Sequence, residues 1–170
     1  MKSKIALVII VLTLIVGVTA FINLKSVEVK KDLEENSKFV IKENGEEVVV
    51  LNMKEISSLG EKDFKANFKK NGKEAVSFNY TGVPFKNILN KYNISLDDKS
   101  AIIFTAIDGY TVAVEIEKIL EDNNVYLTYM KEGELLGNKE NGGSGPYQMI
   151  ISKDPFSQYW CKFAIEADVQ

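Results

Sequence analysis

Four turn dipeptides, Asn44-Gly45, Asn71-Gly72, Asp108-Gly109 and Glu132-Gly133, divide most of this chain into short segments rich in β-branched and aromatic residues. Asn-Gly supplies the positive φ angles of a tight hairpin, because glycine has no Cβ and asparagine tolerates the left-handed region. Two hairpins are therefore predicted. Phe39 to Ile41 returns through Asn44-Gly45 to Val48–Leu51, and Phe64 to Phe68 returns through the Lys70 to Lys73 turn to Ala75–Tyr80.

The same reading predicts further strands at Ala101–Ala106, Tyr110–Val114, Val125–Met130, Tyr147–Ile151 and Cys161–Val169. Short helices fall between them. Met53 to Leu59 is stopped by Gly60, and Glu115 to Leu120 forms a second. A third begins at Pro84, whose missing N–H is harmless in a first turn, and places Phe85, Ile88, Leu89 and Tyr92 on one face. Many strands with a few short helices define an α+β domain built on a mixed β-sheet.

Ahead of it, Met1-Lys-Ser-Lys4 and the uncharged run Ile5 to Leu24 predict an apolar helix that is a signal peptide or a membrane anchor. Val18-Thr-Ala20 offers a cleavage point, yet 20 uncharged residues match the length needed to span a bilayer, and the anchor is favoured. The expectation is an exported protein, anchored to the cell membrane and facing outward, or secreted. No cysteine stands directly after the run, which excludes lipoprotein acylation. Residues 25–37 are lysine- and glutamate-rich and read as a solvated tether, so the domain occupies 38–170.

Composition removes several chemistries. The chain is 45% hydrophobic and 26% charged, enough for one real core. All 21 basic residues are lysine; there is no histidine and no arginine. Histidine-based triads and zinc sites are excluded, as is the planar fork that arginine offers phosphates. Net charge is −3 and more negative without Lys2 and Lys4, which argues against a nucleic-acid partner. Cys161 cannot form an internal disulfide; in a terminal strand it is a small buried residue before it is a reactive thiol.

Three segments could carry a ligand. Asp108-Gly109-Tyr110 is a turn in which aspartate bonds its own backbone, and tyrosine adds a flat face and a hydroxyl. The loop Gly137 to Pro146, containing Asn141, is glycine-rich: it either brings backbone N–H groups to a ligand or merely connects strands. Trp160, the single tryptophan, follows the surface turn Asp154 to Gln158. A core role competes with a slot in which Phe156, Tyr159 and Trp160 sandwich a flat ring, and the slot is preferred.

Read in order, Tyr80-Thr-Gly-Val-Pro-Phe-Lys-Asn-Ile-Leu89, Asp108-Gly-Tyr110, Gly145-Pro-Tyr-Gln-Met-Ile-Ile151 and Tyr159-Trp-Cys-Lys162 resemble the sulfite-oxidase-type molybdopterin-binding domain family. The resemblance implies that family's fold. It also places the 108–110 turn at the rim of the pterin pocket, and Gln148 where family enzymes carry an arginine to the cofactor's phosphate. Where the family's metal-binding cysteine stands, upstream of Gly82, this chain has Lys70 to Ala75. Members without the cysteine include proteins that bind a free reduced pterin and signal to a partner.

The expected function is therefore an extracytoplasmic, non-catalytic pterin-binding module. It would take a free pterin or molybdopterin-like ligand without molybdenum, be held to the membrane by its N-terminal segment, and signal through an envelope protein. No catalytic or metal residue is expected. The expected ligand contacts are Asp108, Tyr110, Asn141, Gln148, Ser157, Gln158, Tyr159 and Trp160. The alternatives are a molybdopterin-dependent oxidoreductase, and an interaction domain with a degenerate pocket.

Overall fold

The computed structural model describes residues 2–69, 72, 74–139 and 142–170. β1 (Lys38–Glu43) and β2 (Glu46–Asn52) form the first hairpin, with Asn44 at φ 51° and Gly45 at φ 86° as the dipeptide requires. β3 (Lys62–Phe68) pairs antiparallel with β4 (Val76–Pro84). The Lys70, Asn71 and Lys73 positions of their connecting turn lie outside the described residues.

β5 (Ala101–Ala106), β6 (Thr111–Glu115), β7 (Val125–Lys131), β8 (Glu134–Leu135), β9 (Tyr147–Ile151) and β10 (Cys161–Val169) complete the sheet. Its main path runs β2-β1-β10-β9-β7-β4-β3; β5 pairs with β10 and β6, and β8 with β7. β1 lies parallel to β10, and the other pairings are antiparallel. The sheet is mixed, as expected. Burial follows position: β5 and β6 alternate, whereas β9 and the first five residues of β7 are buried on both faces.

Short helices cover the sheet. α2 (Met53–Ser57) opens with a capping box, in which the Asn52 side chain accepts from the Glu55 N–H at 2.9 Å and the Glu55 carboxylate accepts from the Asn52 N–H at 2.8 Å. α3 (Phe85–Lys91) buries Phe85, Ile88 and Leu89; Pro84 sits one residue earlier than expected, ending β4 and capping the helix. α4 (Ile116–Leu120) follows β6. Phe85 meets Phe39 and Phe104 edge-on at 6.4 and 4.8 Å, which locks α3 to β1 and β5. Tyr147 packs against Phe39 at 5.6 Å, and its hydroxyl donates to the Ser37 carbonyl at 3.0 Å.

The N-terminal helix is present as α1 (Lys2–Asn36), and the segment read as a tether continues it without a break. Side chains 9–24 are all exposed. Among the described residues no helix is long and apolar enough to cross a membrane.

Candidate functional site

Gly82 of β4, Thr128 of β7, Gln148 of β9 and Lys162 of β10 stand side by side in register. Directly paired residues project from the same face of a sheet, so these four form a row across it. Gly82 has to be glycine: a Cβ there would lie 2.6 Å from the Leu127 carbonyl oxygen and 2.8 Å from Thr128 Cα. Close approach of β4 and β7, at a bulge between Thr81 and Gly82, buries the Thr128 hydroxyl without a partner among the described residues.

At the Gln148 and Lys162 end of this row opens a cleft of about 320 Å³. Phe68 and Tyr80 give it aromatic walls, Lys131 and Lys162 give it two cations, and Leu135, Leu136, Gly142, Gly143 and Ser144 close it from the loop. The loop is folded back on itself by bonds from Ser144 N–H to the Leu136 carbonyl at 3.1 Å and from Gly145 N–H to the Gly137 carbonyl at 2.8 Å. No carboxylate stands among the described lining residues. Lys131 Nζ rests 3.4 Å from the centroid of Phe78, and Lys162 Nζ lies 5.1 Å from that of Phe68.

Gln148 is 2% exposed, and its side-chain amide has no hydrogen-bond partner among the described residues. A buried carboxamide in that state offers two donors and an acceptor to whatever enters. Burial, with a smaller contribution from Glu132, pushes the Tyr80 phenol up to about 12, so at neutral pH the cleft wall is an uncharged hydroxyl-bearing ring. A flat molecule with an amide-like edge and an electron-rich or anionic part matches these groups.

Of the residues singled out in the sequence, Gln148 lines this cleft, together with the Gly142 to Ser144 part of the glycine-rich loop. Asn141 lies outside the described residues. Asp108 and Tyr110 are held by bonds within the protein: the aspartate accepts the Tyr110 N–H of its own turn at 3.2 Å, and the tyrosine hydroxyl donates across to the Gln158 carbonyl at 3.3 Å. Ser157 is locked to the Lys69 backbone, accepting its N–H at 3.1 Å and donating to its carbonyl at 2.9 Å. Gln158 and Tyr159 are exposed beside it, outside the cleft.

The aromatic slot with an open indole face is a correction. Trp160 is 4% exposed; its Nε1–H donates to the Ile151 carbonyl at 3.2 Å, and its ring packs on Tyr80 at 5.8 Å and Phe68 at 6.0 Å. It backs the cleft wall from within the core, because burying the indole with its one donor satisfied outweighs leaving it in water. Phe68, Tyr80, Lys131 and Lys162 escaped the sequence reading. Alternation in β3 and β4 could have flagged the two aromatics; nothing in sequence joins two lysines 31 positions apart.

Cys161 is fully buried, with Sγ 3.9 Å from the Phe104 carbonyl, and burial, aided by Asp108, pushes the thiol up to about 12. A raised thiol pKa means that the unreactive protonated form prevails at every physiological pH. Native protein at pH 8 is expected to take up no thiol reagent on the minutes scale, and one equivalent after denaturation. Rapid labelling of the native form would place Cys161 at the surface.

Taken together, the mixed sheet with a basic, aromatic cleft at its loop end defines a domain of the sulfite-oxidase type. The sulfane dehydrogenase SoxCD from Paracoccus pantotrophus has a similar structure, with a TM-score of 0.63 at 14% identity over 80% of this chain. This chain spans 38% of that one, and at such identity the likeness concerns the fold. Residues 26–158 match the oxidoreductase molybdopterin binding domain, and the chain belongs to that family. Among curated proteins, none matches it.

Proposed function

We propose that this protein is an extracytoplasmic pterin-binding module that carries out no chemistry on its ligand and signals through a partner. The observation that carries the ligand class is Gln148, a buried carboxamide between aromatic walls with no partner among the described residues. A carboxamide and a pterin's amide edge can exchange two hydrogen bonds, and Tyr80 and Phe68 supply flat apolar contact. The neighbouring Ser144 hydroxyl adds a further donor or acceptor. The residues fit the pterin part of the family's cofactor. They do not fit its metal, since the chain's single thiol is buried against Phe104 and does not line the cleft.

The 20-residue uncharged run at 5–24 and the exposure of side chains 9–24 support a membrane attachment that holds the domain outside the cell. The family's oxidoreductase members favour a second reading, a molybdopterin enzyme. Metal analysis of protein made in a cofactor-competent host separates the two: stoichiometric molybdenum supports the enzyme.

The direct test is mass identification of small molecules released from the purified full chain. A reduced pterin is expected. Gln148→Leu, nearly isosteric, should weaken its binding about tenfold to a hundredfold, the usual cost of leaving a ligand's buried polar edge unpaired. Undiminished affinity in a folded Gln148→Leu protein would remove the carboxamide from the site.

A further inference from the structure

Beyond the cleft, the far side of the same glycine-rich loop walls another concavity, of about 400 Å³. Ile107, Pro146, Phe163 and Ile165 make it apolar, and Lys139 is the one charged residue among its described lining. Ile107 is 69% exposed, and the surface continues over Tyr110 and Tyr159, 49% and 53% exposed, to the exposed ring of Phe156. Tyr110 joins the two halves through its bond to the Gln158 carbonyl. So broad an apolar surface on a folded domain marks an interaction site.

Phe163 is the stronger sign. It sits in β10 at φ 54°, the left-handed region that bulky side chains rarely adopt, where the register of β10 shifts against β9, just ahead of a second shift against β5 between Ala164 and Glu166. Two backbone bonds hold it there, its N–H to the Ser144 carbonyl at 2.8 Å and its carbonyl to the Ile107 N–H at 3.0 Å. A strained conformation pinned from both sides, at a partly buried residue that lines the groove, points to a use for that ring.

Charge narrows the occupant. Although the chain is net negative, the cations at this face, Lys139 and Lys69 over the Phe156 ring at 4.8 Å, have no carboxylate bound to them in any described contact. Of the described acids beside this face, Asp154 takes both bonds from Lys118, and Asp108 accepts its own turn's N–H. We infer that this face docks a segment of another protein that carries aliphatic or aromatic side chains flanked by carboxylates. This docking does not depend on what the neighbouring cleft binds.

The test uses the full chain in the cells that make it, with the photoreactive p-benzoylphenylalanine at position 107 or 159, and at the exposed Val76 position as a control. Irradiation is expected to yield a protein adduct from 107 and 159 and none from 76, mapping to an apolar segment containing Asp or Glu. Lys139→Glu, with unchanged thermal unfolding, should lower the yield roughly fivefold or more. Adducts with lipid or with a second copy of the chain, no adduct, equal adducts at 76, or a yield unmoved by Lys139→Glu would each overturn the assignment.

Discussion

Trp160→Ala is expected to lower the unfolding free energy by about 3–5 kcal/mol, a large share of the total for a domain of this size. The indole is 4% exposed and bridges Tyr80 and Phe68, so its removal leaves a void behind the cleft wall that neither ring can fill. Trp160→Phe separates the two contributions. It keeps an aromatic ring against Tyr80 but orphans the Ile151 carbonyl that now accepts the Nε1–H, a loss of about 1–3 kcal/mol. Urea unfolding of both variants checks the ordering. An alanine variant that unfolds like the parent would return the indole to an open stacking face.

Gly82→Ala should be nearly as damaging, by about 3 kcal/mol, at the upper end of overpacking costs. Its added Cβ meets main-chain atoms of Leu127 and Thr128, and neither can swing away as a long side chain would. The β4–β7 spacing must widen, which displaces Thr128 and the Gln148 beside it in the row. Stability and pterin affinity are therefore expected to fall together in this variant, whereas Gln148→Leu should reduce affinity alone. Gly109→Ala serves as the comparison: nothing lies within 4 Å of where its Cβ would stand, and a φ of 83° brings only the local cost of a left-handed alanine, about 1 kcal/mol. Denaturant midpoints for the two alanine variants that coincide would show that β4 and β7 are not packed this closely.

Much of the fold was legible because its signals are local. Asn44-Gly45 named a hairpin and Phe85, Ile88 and Leu89 named a buried helix face, and both stand where the residues put them. Gln148 was named through the family resemblance, at its position shortly after Gly145-Pro146, and it lines the cleft. The place of Trp160 was not legible, since a turn on one side and a strand on the other leave its exposure open; only the arrival of Phe68 and Tyr80 from β3 and β4 decides it.

By itself the sequence determined the kind of elements, their order and the family, because periodicity, turn chemistry and motif order survive in one dimension. It also determined what chemistry is absent, since a chain with no histidine, no arginine and one cysteine cannot acquire them by folding. Only the tertiary structure decided which groups face a common space. Lys131 and Lys162 share a cleft because β9 lies between β7 and β10, and Cys161 is buried with its Sγ beside the Phe104 carbonyl. Strand order is set by the packing of the whole core, and that free energy belongs to no single segment.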